Sequence, residues 1–219
     1  SVVTLSSVTK YDKFGQTVTT GDFNNDGVDD IAGGGTGFGT NPGHAYICYG
    51  GAMVDEDTTG ADVTVAGEGE TNVFGGSLAV ADFNSDGSDD LAVTARGAGK
   101  AYVFYGGALT DRNASSADVI VNEESAGAGM GSVATADLNN DGTDDLIVGS
   151  YGYNSNQGRT YIFYSQSGQV NLDQHITGEG TGDYFGSAFA VGDFNSDGRD
   201  DLAVGAYKNN SNAGKVYIF

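Results

Sequence analysis

The chain of 219 residues has 30 acidic and 9 basic side chains, a net charge of −21, and contains 37 glycines but one proline and no tryptophan. Such a charge repels nucleic acid and anionic membrane surfaces, so neither is expected as a partner. No apolar run approaches the roughly 20 residues that a membrane-spanning helix needs, so no membrane insertion is expected. Abundant glycine with scarce proline is typical of many tight turns, and it favours an all-β protein.

The predicted elements follow one order along the chain. A strand at residues 2–9 (VVTLSSVT) precedes a Phe-Gly pair at Phe14 and the acidic loop DFNNDGVDD at residues 22–30. An apolar strand (DIAGGG), a Gly/Asn-rich turn, an aromatic strand (HAYICYG) and a more polar strand at residues 61–67 (ADVTVAG) then follow. Alternation of apolar with small or polar residues over such short segments is the periodicity of β-strands.

The same order recurs in three further units. The acidic loops begin at Asp22, Asp82, Asp137 and Asp193, which are 60, 55 and 56 residues apart. Phe-Gly pairs recur at Phe74 and Phe185, whereas the third unit has Met130-Gly131. The repeat predicts one domain over residues 1–219, with units at about 10–67, 68–123, 124–178 and 179–219 plus the strand at residues 2–9.

Each acidic loop has the pattern of a calcium site. Oxygen-bearing side chains stand at positions 1, 3, 5 and 9, glycine at position 6 permits a sharp turn, and the backbone carbonyl at position 7 adds a ligand. Mg²⁺ fits less well, because it requires a stricter octahedron. About four Ca²⁺ ions are expected, and the predicted ligands are Asp22, Asn24, Asp26, Val28, Asp30, Asp82, Asn84, Asp86, Ser88, Asp90, Asp137, Asn139, Asp141, Thr143, Asp145, Asp193, Asn195, Asp197, Arg199 and Asp201.

Two other interpretations of the loops are weaker. An EF-hand requires a glutamate at position 12, where Gly33, Val93, Val148 and Val204 stand instead, and its flanks are helices rather than strands. Solvated turns that bind nothing would explain one such loop, but not four with the same spacing. The acidic residue at position 8 of each loop is expected to point to solvent: Asp29, Asp89, Asp144 and Asp200.

Four short antiparallel strands in each unit would make a sheet that cannot bury both faces alone. Radial stacking of such sheets gives a β-propeller with one blade per unit. A β-sandwich gives no reason for a metal loop at constant spacing, and a β-helix requires much shorter coils.

The Phe-Gly pair, the D-x-N-x-D-G-x-x-D loop and a degraded Gly-Ala turn, clearest at Gly205-Ala206, together resemble the FG-GAP repeat of integrin α-subunit propellers. The resemblance implies that each calcium loop joins the first two strands of a blade. It also implies an extracellular or cell-surface, non-catalytic adhesion or ligand-binding module. A protein or glycan ligand would then meet the face opposite the calcium loops, where the plausible contact residues are Tyr11, Tyr151, Tyr153, Tyr184 and Tyr207.

Integrin-like propellers have seven blades, whereas this sequence has four units. The last unit shows only three strands, and residues 2–9 stand where other units place the fourth strand of the preceding blade. We therefore expect the N-terminal strand to complete the last blade and close a four-bladed ring. Strand exchange between chains, or a fragment of a longer array, remains open.

Catalytic signals are weak, and no enzymatic activity is expected. His44 and His175 are the only histidines, no G-x-S-x-G elbow or paired-cysteine metal site occurs, and Cys48 is expected to be a small buried apolar residue. N-x-S/T tripeptides occur at Asn113 and Asn209. The alternatives to a binding module are a structural subunit of an extracellular filament or surface assembly, and an accessory domain of a larger secreted hydrolase.

Overall fold

The structure, a computed structural model, describes residues 2–37, 39–51, 53–69, 73–125, 127–166 and 169–219. Short strands separated by glycine- and asparagine-rich turns dominate it, as the alternating pattern predicts. The strands in chain order are β1 (Leu5–Ser6), β2 (Thr17–Gly21), β3 (Asp30–Gly35), β4 (His44–Cys48), β5 (Glu56–Asp57), β6 (Val63–Ala66), β7 (Phe74–Ala81), β8 (Asp90–Ala95), β9 (Lys100–Phe104), β10 (Arg112–Asn113), β11 (Val119–Asn122), β12 (Met130–Ala136), β13 (Asp145–Ser150), β14 (Arg159–Gln166), β15 (Gln169–Thr177), β16 (Phe185–Gly192), β17 (Asp201–Ala206) and β18 (Lys215–Ile218).

Within the described residues, helical structure is limited to single turns. The two α-helical turns, α1 (Tyr153–Asn156) and α2 (Asn209–Asn212), each contain residues with left-handed backbone angles, and two 3₁₀ turns lie at Arg96–Ala98 and Ala114–Ser116. Within the described ranges, no helix has the length and apolar character to cross a membrane. The all-β prediction is confirmed.

The strands form four main sheets, one for each predicted unit. Sheet 1 has the order β10-β6-β4-β3-β2, sheet 2 β11-β9-β8-β7, sheet 3 β12-β13-β14-β15, and sheet 4 β16-β17-β18. All pairings within these sheets are antiparallel except that of β10 with β6, which is parallel. Sheets 2 and 3 therefore have the expected four antiparallel strands, whereas sheet 1 gains β10 from the next unit.

The predicted position of the N-terminal strand is wrong. The β1 strand does not complete sheet 4: it pairs in parallel with β5, with Leu5 opposite Glu56 and Ser6 opposite Asp57. The physical reason is local. The β5 segment offers a nearby row of backbone groups, and Asp55 accepts a hydrogen bond from the N–H of Thr4 at 2.8 Å. Sheet 4 accordingly has three strands within the described chain.

The apolar core lies between neighbouring sheets rather than within any one of them. Its three clusters are centred on Ile47 and Phe74 between sheets 1 and 2, Val103 and Leu146 between sheets 2 and 3, and Ile162 between sheets 3 and 4. Cys48, on β4, is a buried free thiol, as expected. Because every cluster joins two sheets, the stacking of the sheets supplies the hydrophobic stabilisation.

Candidate metal loops and the opposite face

The acidic loop of sheet 2 joins β7 to β8 and folds around its own side chains. Asp82 accepts hydrogen bonds from the backbone N–H groups of Asp86 (3.0 Å) and Gly87 (2.8 Å). Asn84 Oδ1 accepts from the same Asp86 N–H at 2.9 Å, and Asp86 Oδ1 accepts from the N–H of Ser88 at 2.9 Å. The side-chain oxygens of Asp82 and Asn84, at positions 1 and 3, therefore converge on the backbone nitrogen of Asp86, beside the carboxylate of this same residue at position 5.

All four loops repeat this network of backbone-to-side-chain hydrogen bonds at equivalent atoms. The backbone angles that permit it also recur. Position 4 is left-handed in each loop, and the position 6 glycine has φ between 84° and 89° at Gly27, Gly87, Gly142 and Gly198. Glycine adopts such angles without the steric cost of a Cβ. The four sequences thus fold into one loop structure.

The aspartate at position 9 anchors the loop to its sheet. Asp90 is fully buried and accepts hydrogen bonds from the N–H groups of Phe83 (2.9 Å) and Gly106 (2.8 Å). Burial raises the pKa of Asp90 to about 7 and that of Asp145 to about 6, and it also raises the pKa of Asp30. Carboxylates of the same loops add to each shift. Asp201 differs, because it is only half-buried and accepts, besides the N–H of Phe194, hydrogen bonds from the backbone N–H and the side-chain amide of Asn195, each at 3.2 Å.

The donor chemistry of the loops fits a hard cation. Carboxylate, amide and backbone oxygens are the ligands that Ca²⁺ prefers, and an oxygen that accepts one hydrogen bond keeps a second lone pair. Positions 1, 3 and 5 lie together, whereas the position 9 carboxylate faces backbone N–H groups. Among the described residues, no three His, Cys, Asp or Glu side chains form a group that could hold a metal by themselves. Any ion here would therefore depend on the asparagine and carbonyl oxygens as well.

Position 8 departs from the sequence-based expectation at Asp89. Its carboxylate accepts a hydrogen bond from the N–H of Asp22 in the neighbouring loop at 2.8 Å, and so it does not simply point to solvent. Asp29 and Asp144 are exposed, as expected, and Asp200 is half-buried. Although Asp144 is exposed, desolvation by the neighbouring protein atoms, and then the carboxylates of Asp200, Asp137 and Asp89, raise its pKa.

The opposite face has a row of aromatic and basic side chains. Tyr151 and Tyr184 stack with ring centroids 6.2 Å apart, and Tyr184 and Tyr207 are 5.2 Å apart. Arg96 lies 4.9 Å from the Tyr151 ring centroid, and Lys208 Nζ lies 4.2 Å from that of Tyr184. We call these five residues the tyrosine row. Three of the five predicted tyrosines are therefore brought together.

The other two predicted contact tyrosines lie outside the row. The guanidinium carbon of Arg159 lies 3.9 Å from the Tyr153 ring centroid, and Lys10 Nζ lies 4.7 Å from the Tyr11 ring centroid. The predicted ligand face also includes connections at residues 34–43, 67–73 and 125–129. Residues 38, 70–72 and 126 of these connections are outside the described part of the chain.

Sequence reasoning missed a set of ion pairs between adjacent sheets. Lys100 at the start of β9 pairs at 2.9 Å with Glu68, in the connection that follows β6 of sheet 1, and Lys215 at the start of β18 pairs at 2.8 Å with Glu179, in the connection that follows β15 of sheet 3. Arg159 and Glu124 form the equivalent pair. A signal was present, because a glutamate follows each outer strand and a basic residue opens the third strand of each later unit.

The two histidines lie on strand faces. His44 on β4 has Nδ1 2.9 Å from Oδ1 of the buried Asp12, and His175 on β15 has its ring near that of Tyr161. Ser7 donates its hydroxyl hydrogen bond to Asp12, at 3.0 Å, rather than to His44. The pair therefore orders the connection before β2.

Comparison with known proteins agrees with this architecture. The FG-GAP repeat model matches residues 14–48 and 185–219, and the FG-GAP-like repeat model matches residues 82–148. The chain belongs to the FG-GAP repeat family.

Its curated relatives are larger proteins. Integrin alpha pat-2 of Caenorhabditis briggsae is 30% identical over 93% of this chain and 18% of that protein. Integrin alpha-5 of Xenopus laevis is 33% identical over 68% of this chain and 15% of its own length. The human phosphatidylinositol-glycan-specific phospholipase D is 30% identical over 94% of this chain and 28% of that protein. The chain thus spans less than a third of each of these relatives.

Solved structures of similar fold include two lyases. The rhamnogalacturonan lyase PL11 of Bacillus licheniformis superposes with a TM-score of 0.56 at 15% identity, over 86% of this chain and 39% of that one. The rhamnogalacturonan lyase YesW gives a TM-score of 0.55 at 14% identity, over 86% of this chain and 40% of its own. At such identities the likeness concerns the fold alone.

Proposed function

We propose that the chain is a calcium-stabilised, non-catalytic β-propeller module that binds a protein or glycan ligand outside the cell. The observation that carries the proposal is the repetition of one hydrogen-bonded loop, with the same oxygen donors, in all four units. A loop that served only as a turn would not need to keep, at each of positions 1, 3, 5 and 9, the same oxygen-bearing side chain in every unit.

Calcium would be held by the side chains at positions 1, 3, 5 and 9 and by the position 7 carbonyl. When bound, it supplies positive charge that offsets the mutual repulsion of three aspartates in each loop. The protein's own part is already formed: Asp82 and Asn84 are held by Asp86 N–H, and Asp90 ties the loop to Phe83 and Gly106. We therefore assign the ions a structural role between the first two strands of each sheet.

The propeller is supported by the order of the sheets. Strands β2, β7, β12 and β16 lie next to one another in sequence order, and each apolar cluster joins one sheet to the next. Stacked four-stranded sheets of this kind are the blades of β-propellers.

The tyrosine row is the candidate ligand surface. Aromatic faces and cationic side chains can bind sugar rings, acidic groups or protein side chains, and Tyr207 is 53% exposed. The row lies on the face opposite the acidic loops, because the connections that form it lie at the other ends of the strands. The integrin alpha relatives favour an adhesion-type role at the cell surface.

A second candidate is an accessory domain of a larger secreted hydrolase. The observation that favours it is the match to phosphatidylinositol-glycan-specific phospholipase D, which covers 94% of this chain but 28% of that enzyme. In that case the module would bind or position, and chemistry would belong to another domain.

Calcium is tested by thermal unfolding with Ca²⁺, Mg²⁺ or a chelator. We expect Ca²⁺ to raise Tm by many degrees, because a ligand at about 100 times its Kd stabilises the folded state by about 2.7 kcal/mol per site. Asp82→Asn should reduce the shift by roughly one site's share, whereas Asp29→Asn, at the exposed position 8 of the first loop, should not. No shift with Ca²⁺ in the unsubstituted protein would refute the structural role.

The ligand surface is tested separately, on a glycan and protein array. We expect Tyr207→Ala to abolish a detected interaction and Phe194→Ala, a similarly exposed aromatic on the loop face, to preserve it. Equal loss in both variants would contradict the assignment to the tyrosine row. Silence of the unsubstituted protein across a broad array would count against the binding module itself.

A further inference from the structure

A cavity of about 300 Å³ lies between sheets 2 and 3, at the strand ends opposite the acidic loops. Its walls come from the residue before β7, the connection before β12, and the turns that follow β8 and β13. Arg96, Asn156 and four glycines line it, and Val73 and Ala128 are its apolar side chains. We call it the Arg96 cavity. Every lining residue belongs to the second or third unit, so the cavity does not depend on the outer faces of sheets 1 and 4.

Two lining positions differ from their equivalents in the other units. The residue after the second strand is Arg96 here, and elsewhere it is Thr36, Tyr151 or Tyr207. The residue before the Phe-Gly position is Gly129 here, and elsewhere it is Lys13, Val73 or Tyr184. At the latter position all four backbones are left-handed, with φ between 56° and 70°. The side chain therefore decides how much space remains there, and glycine leaves the most.

Glu123 fixes the wall that Gly127 and Gly129 form. Its two carboxylate oxygens accept hydrogen bonds from the N–H groups of these glycines, each at 2.6 Å. Glycine stands at the equivalent position of the neighbouring connections, as Gly67 and Gly178, so this support belongs to the unit with the cavity. A Cβ on Gly127 would meet nothing within 4 Å, which places this residue at the open side.

The two polar side chains of the lining keep their hydrogen-bonding groups available. At the same end of the sheets, Lys100, Arg159 and Lys215 pair with glutamates. Arg96 has no carboxylate partner among the described residues, and its guanidinium lies against the Tyr151 ring. The side-chain amide of Asn156 makes no hydrogen bond to another residue within the described ranges. The cavity thus offers a guanidinium and an amide to a ligand.

These groups fit an anionic ligand that carries hydroxyl groups. A guanidinium binds a carboxylate through two parallel hydrogen bonds, whereas an amide can donate to and accept from hydroxyl groups. With Val73 and Ala128 as its apolar side chains, the cavity would gain little from a purely apolar ring. Its volume is at the lower end of the range of about 300–1,000 Å³ for ligand pockets, so it suits a single ring.

The distribution of charge agrees with an anionic ligand at this end of the sheets. Of the nine basic residues, all except Arg112 and Arg199 lie in or next to the connections opposite the acidic loops. The acidic loops, with four aspartates each, lie at the other end. An approaching anion is therefore repelled least on the side where the Arg96 cavity opens.

We propose that the Arg96 cavity binds a uronic acid residue of a glycan. The carboxylate pairs with Arg96, the ring hydroxyls bond to Asn156, and the next sugar of the glycan lies over Tyr151 in the tyrosine row. The inference rests on the proposed ligand-binding function, since it names the ligand of one part of that face. An acidic peptide is the other source of a carboxylate, and the first experiment separates the two.

The first experiment is a titration followed by the backbone amide signals in two-dimensional NMR, with Ca²⁺ present. The probes are glucuronate, galacturonate, glucose and the peptide Gly-Glu-Gly. We expect at least one uronate to shift the signals of Gly97, Gly127 and Gly129, and glucose to bind about tenfold more weakly or less, because it lacks the charged hydrogen bonds. No shift with either uronate, equal binding of glucose, or tighter binding of the peptide would overturn the proposal.

The second experiment repeats the titration on matched pairs of variants. Arg96→Ala should lower uronate affinity about tenfold, whereas Arg112→Ala, which removes the same charge at the outer edge of sheet 1, should not. Asn156→Asp adds a negative charge to the cavity at nearly constant size and should also weaken uronate binding. Its control is Asn212→Asp, at the equivalent left-handed position of α2. Equal losses within either pair would assign the effect to overall charge and overturn the site.

Failure of this inference can be told from failure of the proposed function. If a neutral glycan binds on the array and Tyr207→Ala abolishes that binding, while neither uronate shifts the glycine signals, the ligand face stands and the uronate site is refuted. Silence of the unsubstituted protein both on the array and in the titrations would refute both.

Discussion

The carboxylate of Asp89 accepts a hydrogen bond from the backbone N–H of Asp22 at 2.8 Å, and the N–H of Asp89 donates to the carbonyl of Asp22 at 3.1 Å. The two bonds join position 8 of one acidic loop to position 1 of the preceding loop. Because Asp22 is a proposed calcium ligand, this bridge connects the first loop to the neighbouring sheet.

Replacement of Asp89 should weaken that bridge. Asp89→Ala removes a hydrogen bond to a charged acceptor that is half-buried, and we expect the free energy of unfolding to fall by about 1–2 kcal/mol. Asp29→Ala, at the equivalent exposed position of the first loop, should change it by less than about 0.5 kcal/mol. Urea unfolding of both variants measures the difference, and equal losses would contradict the bridge.

The anchoring role of Asp90 predicts a larger loss. Asp90→Ala leaves the buried N–H groups of Phe83 and Gly106 without their acceptors, so the free energy of unfolding should fall by about 3 kcal/mol in chelator. Asp90→Asn keeps one acceptor oxygen and should lose less. Asp86→Ala, in the exposed part of the same loop, is the control. If Asp86→Ala cost as much as Asp90→Ala, burial would not explain the effect.

Raised carboxyl pKa values predict a pH dependence of stability without calcium. Asp90 and Asp145 have folded-state pKa values of about 7 and about 6, above the ordinary aspartate value, because burial disfavours their charge. At pH values between the ordinary aspartate pKa and these raised pKa values, the folded protein binds more protons than the unfolded chain. The free energy of unfolding should therefore be greater near pH 5 and fall as the pH rises to about 7. Thermal unfolding in chelator from pH 5 to 8 measures the slope.

The control for this slope is Asp90→Asn, which removes the titrating group and should flatten the dependence. Saturating Ca²⁺ should also flatten or reverse it, because the ion favours the ionised carboxylates. A rise in Tm from pH 5 to 8 in chelator would contradict the assigned direction.

Glycines between sheets should be less replaceable than glycines in the loops. A Cβ on Gly149 would meet the carbonyl oxygen of Gly186 in sheet 4, which is backbone and cannot turn aside. A Cβ on Gly142, in the third acidic loop, would meet nothing within 4 Å, although its φ of 88° is strained for alanine. We expect Gly149→Ala to cost at least about 2 kcal/mol by overpacking and Gly142→Ala about 1 kcal/mol. Urea unfolding that ranks them in the reverse order would refute the close approach.

Much of the fold could be predicted because its signals are local and repeated. Strand alternation around the acidic loops is enough to place β7, β8 and β9. The position of β1 was not predictable in the same way, because a two-residue strand has no periodicity and its partner is chosen by Asp55 and by the proximity of β5. The parallel pairing of β10 with β6 was not predicted for the same reason, since β10 also has only two residues.

The candidate site shows a similar division. The loop spacing predicted which side chains would supply the oxygen donors, since each side-chain position follows from the turn that glycine permits. It could not show that Asp90 faces the backbone of Phe83 and Gly106, or that Asp89 contacts Asp22, because those contacts depend on how strands and sheets pack. The tyrosine row likewise depends on the approach of sheets 3 and 4.

The close approach of glycine backbones has a consequence for shape. Gly34 and Gly149, on second strands, lie where one sheet nearly touches the next, whereas the third strand β9 places the large side chains of Tyr102 and Phe104 between sheets 1 and 2. Sheets that lie closer together at one pair of strands than at another are inclined to each other, and each further sheet adds to the inclination. The angle between neighbouring sheets is set by the volume of the side chains between them, so a methyl group at Gly149 would push sheet 4 away from sheet 3 and change that angle.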